Sequence, residues 1–252
     1  MNGIRTLDYH TGGEPLRIVV DGLPEIEGNT VLEKRRFMSE HLDHYRRFLM
    51  WEPRGHADMY GAVPLEPSTP DGDVGVLFLH NEGYSTMCGH GIIALVTAGI
   101  EHGLFEFDDP NEIRIDAPAG RITAKAHFDS GGAVDSVSFL NVPSFVLEPH
   151  FSVDVDGQAV EGCIAYGGAF YAYVEADAFG FELTAEESAA IIRQGQAIKE
   201  AVNAHYDIRH PDGDEDLGFL YGTIFVRESG RPGHSRNACV FAQAELDRSP
   251  TG

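Results

Sequence analysis

The chain is short of positive charge, cysteine and tryptophan, and the first two shortages close off classes of function. Its 252 residues carry 18 Lys and Arg against 40 Asp and Glu, a formal charge of −22. A surface of that sign repels phosphate backbones and anionic headgroups, so neither nucleic acid nor a membrane surface is an expected partner. The acidic excess reads as a heavily solvated surface rather than a docking face. The three cysteines, Cys88, Cys163 and Cys239, are odd in number and show no CxxC spacing, which builds neither a disulfide framework nor a zinc ribbon. No HExxH occurs, and His41 and His44 fall in a helical pattern better explained by a solvated face, so no metal site is expected. No apolar run approaches the roughly 18 residues of a membrane helix. The start, Met-Asn-Gly-Ile-Arg-Thr-Leu-Asp, lacks the charged and apolar regions of a signal peptide. A reduced, cytoplasmic setting fits these absences.

What is present suffices for a globular core, since 42% of residues are apolar and 10% aromatic. Alternating segments at 17–20, 75–79, 113–116, 121–124 and 137–139 predict strands, as do 170–175, 223–227 and 238–241. Met38, Leu42, Tyr45, Phe48 and Leu49 recur at helical spacing and predict one helix that stops before Pro53. A second helix is expected from Cys88 to about Gly103. A third, opened by the capping box Thr184-Ala-Glu-Glu187, is expected to reach about His205. The polar, Gly-rich stretch at 128–135 reads as a joint between two domains, placed at 1–130 and 131–252. Strands in each half approach a Gly-containing turn, which hints at a duplicated plan.

Two segments carry chemistry. In Tyr84–Ala94, Cys88 opens an apolar helix with Gly89, His90 and Gly91 in its first turn. Free N–H groups there hold a carboxylate, and the positive helix end favours thiolate, so one short segment binds an acid and deprotonates it. The bland alternative, Cys88 as a small buried hydrophobe, stays open. So does a dinucleotide fingerprint, Gly89-His-Gly91-Ile-Ile-Ala94, although residues 81–88 separate it from the preceding strand. The loop Arg54–Tyr60 reads either as a pocket wall or as a turn held by His56 and Asp58. The second segment, Asp247-Arg-Ser-Pro-Thr251-Gly252, has a Thr where a second reactive group is sought.

Five motifs together resemble the proline racemase family: His10–Pro15, Glu52–Asp58, Met87–Gly91, Gly167–Tyr171 and Asp247–Pro250, in order along the chain. The resemblance implies an α/β (α+β) chain with the two-domain fold of diaminopimelate epimerase. Each domain is a curled sheet around a central helix, with the ligand in the cleft between domains and no cofactor. The first domain would carry Cys88 at its central helix, and the second would be incomplete, ending before its own. Family racemases use two cysteines on opposite faces of the α-carbon; here Thr251 stands at the second position, and its hydroxyl is a poor base near neutrality. Cys with Thr is the pattern of the family's trans-3-hydroxy-L-proline dehydratases, which act on one face only. By position, Cys88 is the implied base at C2, with Thr251 hydrogen-bonding the substrate. The N–H groups of Gly89, His90 and Gly252 hold the carboxylate beside Gly91. The His90 side chain and Asp247 contact the ring nitrogen, and Tyr221 and Phe241 line the pocket. Racemisation of proline, epimerisation of 4-hydroxyproline and a non-catalytic binding role are the alternatives. Family chains continue well past this motif, so the chain is expected to fold poorly alone or to show little activity. Its partner is a small imino acid, and a homodimer is one open assembly.

Overall fold

The structure is a computed structural model in which residues 3–249 are described. The chain divides into two units at Val142/Pro143, and Arg248 returns to the first. The Gly-rich stretch expected to be the joint is instead a hairpin turn inside the first unit. Asp129 accepts the N–H groups of Gly131 and Ala133, and strands on either side pair from His127–Ser136 onward. Glycine there serves a tight reversal, not a linker, and the division falls about a dozen residues later than the pattern suggested.

The first unit holds β1 (Arg5–Thr11), β2 (Glu14–Asp21), α1 (Val31–His41), α2 (Asp43–Met50), β3 (Gly61–Leu65), β4 (Val74–Leu79), β5 (Tyr84–Ser85), α3 (Gly89–His102), β6 (Ile113–Ala117), β7 (Gly120–Phe128) and β8 (Val134–Leu140). The sheet runs β1-β2-β3-β4-β6-β7-β8, with β5 added beside β4. Helix α3 packs against both edge strands, β1 and β8, and against β2, β3 and β7. A sheet whose two edges meet one helix is curled around it.

The sequence of α3 explains that position. Ile92, Leu95, Val96 and Ala98 are all fully buried, so the helix is apolar round most of its circumference and belongs in a core. Each such Ile or Leu contributes about 1.5–3 kcal/mol of burial. Gly103 ends the helix in a left-handed C-cap, φ 62°. Strand β4 is buried along its whole length because α1 packs on it and Phe78 reaches Gly91 of α3.

The helix expected across 38–49 is two. Leu42 leaves helical geometry at φ −122°, ψ 10°, and α2 restarts at Asp43. The cause is local: Asp43 at the new N-terminus pairs with Arg46 at 2.6 Å and Arg47 at 3.1 Å, a carboxylate stabilised at a helix start. The apolar spacing continues through the break, which is why periodicity alone missed it.

The second unit holds β9 (Phe145–Val155), β10 (Gln158–Tyr166), β11 (Phe170–Glu175), α4 (Ser188–His205), β12 (Leu220–Glu228), β13 (Ser235–Phe241) and β14 (Glu245–Leu246). Its sheet runs β14-β13-β12-β11-β10-β9, and α4 packs against β9, β11, β12, β13 and β14. The Thr184–Glu187 capping box is formed, although it first closes a 3₁₀ turn, Ala185–Glu187, from which α4 continues.

Candidate active site

Cys88 is the N-cap of α3. Its backbone is extended, φ −149° and ψ 112°, and its sulfur accepts the Gly91 N–H at 3.2 Å. Sulfur thus does what Ser, Thr or Asp usually does at this position. Gly91 is required for it: a Cβ there would sit 2.6 Å from Phe78 Cε1 and 2.9 Å from Cys88 Sγ. The Gly91 N–H, expected among the carboxylate donors, is taken by the sulfur. The first-turn N–H groups of Gly89 and His90 remain, aligned with the positive end of a 14-residue helix.

The His90 ring lies against the sulfur, with Nδ1 at 3.3 Å and Nε2 at 3.6 Å from Sγ. Burial lowers its pKa from the ordinary 6.5 to about 4, opposed by a hydrogen bond to the Pro15 backbone. Proline has no N–H, so the ring must donate to the Pro15 carbonyl, which leaves the other nitrogen of the neutral ring as an acceptor. His90 is therefore a neutral neighbour of Cys88 at pH 7, not an imidazolium partner. The Tyr60 ring packs edge-on to it at 4.8 Å, and Thr11 Oγ1 donates to the His90 carbonyl at 3.2 Å. Sequence reasoning gave Thr11, Pro15 and Tyr60 no part here. The first two lie in the His10–Pro15 motif, which is visible without a role, and the third closes the Arg54–Tyr60 loop, whose sequence suggests a pocket wall but not a contact with His90.

The fingerprint alternative fails on this geometry. Strand β4 ends at Leu79 and a further strand, β5, intervenes, so Gly89 and Gly91 stand inside the first turn of α3 rather than in a strand-to-helix turn. In the Arg54–Tyr60 loop the Met59 N–H donates to the His56 carbonyl at 3.1 Å, and Asp58 Oδ2 lies 3.7 Å from Arg248 Nη2.

In the second unit, Tyr221 and Phe241 are buried and their rings lie 5.7 Å apart. Tyr171 packs edge-on to Tyr221, also at 5.7 Å. Loss of water around its hydroxyl, then Cys239, Tyr221 and Asp247 nearby, hold the Tyr171 pKa well above the usual phenol value. The Asp247 N–H donates to the Cys239 carbonyl at 3.0 Å, which ties the start of the second motif to β13. Cys88, Gly89, His90 and Gly91 are thus brought together in one unit, and Tyr221, Phe241 and Asp247 belong to the other. Thr251 and Gly252 lie outside the described residues. Among the described residues no three His, Cys, Asp or Glu side chains form a metal-binding group, and no helix is long and apolar enough to cross a membrane.

A family model described as proline racemase matches residues 6–252. A trans-3-hydroxy-L-proline dehydratase of Colwellia psychrerythraea is 48% identical, over 99% of this chain and 70% of its own. The human enzyme of the same name is 47% identical, over 99% of this chain and 72% of its own. Among solved structures, a hydroxyproline epimerase from Agrobacterium vitis with bound trans-4-hydroxy-L-proline matches with a TM-score of 0.91 at 26% identity. It covers 98% of this chain and 72% of its own.

Proposed function

Because the chain belongs to the proline racemase family, we propose that it is a hydro-lyase that dehydrates trans-3-hydroxy-L-proline, with Cys88 as the base. The observation that carries the chemistry is the sulfur at the helix start, held by the Gly91 N–H and flanked by a neutral imidazole. The relatives named as dehydratases, at 47–48% identity over nearly the whole chain, carry the substrate.

The Cys88 thiolate takes the proton from C2, and the freed electron pair forms the C2=C3 bond as the C3–O bond breaks. The hydroxyl leaves as water, with its proton supplied by the Cys88 thiol or by solvent. The resulting enamine moves a proton from nitrogen to C3 and becomes Δ1-pyrroline-2-carboxylate. No step calls for a cofactor. The Gly89 and His90 N–H groups neutralise the carboxylate, which lowers the cost of building negative charge at C2. Asp247 at the ring nitrogen, Tyr221 and Phe241 around the ring, and Thr251 and Gly252 at the substrate are parts of this proposal that rest on the family motif.

Incubation with trans-3-hydroxy-L-proline should give an imine that colours with o-aminobenzaldehyde. Optical rotation of trans-4-hydroxy-L-proline should stay unchanged. The reverse pattern, epimerisation without imine, would establish the second reading, which the likeness to the epimerase structure favours.

A further inference from the structure

One buried carboxylate stands outside the proposed chemistry. Glu14 is fully buried, and it is the first residue of β2, just past the turn from β1. That turn is rigid: Gly12 and Gly13 have φ of 62° and 103°, and Thr11 pairs directly with Glu14 across it. Two successive left-handed residues make the primed hairpin turn that fixes register.

The Glu14 Oε2 accepts the backbone N–H of Arg248 at 2.9 Å and lies 3.5 Å from Arg248 Nε. The Arg248 guanidinium also reaches Asp58 at 3.7 Å. Arg248 is the residue after Asp247 and stands three before Thr251 in sequence. The same hairpin holds the other motif as well, through Thr11 to the His90 carbonyl and through Pro15 to the His90 ring. Within residues 11–15, then, two contacts serve the Cys88 helix start and one carboxylate serves Arg248.

We infer that Glu14 is a positioning residue: it fixes, through Arg248, the segment that follows Asp247 relative to the hairpin that also braces His90. The Glu14 carboxylate is fully buried while the Arg248 side chain is half-exposed, and an ion pair open to water at one end adds little stability. A carboxylate that accepts a backbone N–H and faces a guanidinium instead sets where one stretch of main chain must lie. Glu14 holds the main chain at Arg248, whereas Thr11 and Pro15 hold the His90 end of the Cys88 helix, so its expected effect is on ligand binding more than on the sulfur. The substrate named in its test rests on the dehydratase reading.

The test compares wild type with Glu14→Gln, which keeps an acceptor for the Arg248 N–H, and Glu14→Leu, which keeps only volume. The Kd for pyrrole-2-carboxylate, a planar mimic of the deprotonated ring, should rise about tenfold in Glu14→Gln and about a hundredfold in Glu14→Leu. Where imine forms, KM should rise more than kcat falls. Alkylation of unliganded Cys88 by iodoacetamide should stay within about twofold of wild type. Hydrogen exchange at the Arg248 amide should quicken in Glu14→Leu. Wild-type affinity in Glu14→Gln and Glu14→Leu, or unchanged exchange at Arg248, overturns the inference, as does a lower Tm with unaltered binding. If Glu14→Leu does not fold, the Glu14→Gln affinity decides alone. A wild type that makes no imine refutes the dehydratase reading, whereas the exchange and alkylation measurements still judge Glu14.

Discussion

In the first unit a hairpin turning through Gly12 and Gly13 leads, by way of α1 and α2, from β2 to its parallel neighbour β3. Strand β3 pairs antiparallel with β4, and a two-residue strand, β5, precedes Cys88. The second unit makes the same moves: a turn at Gly167 and Gly168, β11, α4, the parallel strand β12, antiparallel β13, and two-residue β14 before Asp247. The hint of duplication in the sequence is thus a duplicated topology. The units part where chemistry is at stake. One short strand leads to a cysteine at a helix cap, and in sequence the other leads to Thr251. The Gly-Gly turn is followed by buried Glu14 in one unit and by Ala169 in the other. A repeated scaffold therefore does not imply a repeated site, and the proposed one-face elimination fits a molecule whose two halves are alike in path and unlike in reactive group.

The sharpest break in that symmetry should be Cys88→Ser. Serine caps α3 as well as sulfur does, so the fold is retained, while imine formation should fall by about a thousandfold or more. Retained turnover would remove Cys88 from the proposed role.

His90 should make the first unit acid-sensitive. Its pKa falls from 6.5 to about 4 on folding, so between those values the unfolded chain binds the proton more readily. This contribution is complete above pH 6.5 and is lost as pH falls toward 4, about 2 kcal/mol of it between pH 7 and pH 5. Urea unfolding at the two pH values should show that loss in wild type and a smaller one in His90→Gln. Equal slopes would mean the ring is not held neutral by burial.

Each unit also has a helix glycine pressed by a neighbour: Gly91 by Phe78, and Gly195 by Val240, whose Cβ lies 2.7 Å from a built Cβ. Alanine at either site should cost about 1–3 kcal/mol by overpacking. Only Gly91→Ala should change the alkylation rate of Cys88, and an equal change in Gly195→Ala would spoil the distinction. The smallest effect tests likeness itself. Both units begin a helix with a formed capping box, Thr30 with Glu33 and Thr184 with Glu187, and alanine at either Thr should cost about 1 kcal/mol in thermal unfolding.

The sequence was most legible where cause and effect are close along the chain. Cys88 and Gly91 are three residues apart, Gly103 ends its own helix, and Thr184 caps its own turn, so α3, α4 and the sulfur's setting could be read directly. Strand β9 is hidden from periodicity: Pro149 and the charged residues on its solvent side interrupt the pattern, and only Phe151, Val153 and Val155 keep the buried alternation. Strand β1, Arg-Thr-Leu-Asp-Tyr-His-Thr, is almost wholly polar and is a strand because β2 pairs with it. The surroundings of His90 come from Pro15 and Tyr60, 75 and 30 residues away in sequence, and no local pattern brings those together.

One hydrogen bond ties structure to reactivity in a way that can be watched. The Gly91 amide donates to the same sulfur that is proposed to gain and lose a proton. A thiolate draws that amide proton more strongly than a thiol does, so its NMR resonance should move downfield as Cys88 ionises and return when the sulfur is protonated. The helix cap is thus a built-in indicator, and a pH titration of one backbone signal would report the charge on the sulfur without any label or substrate.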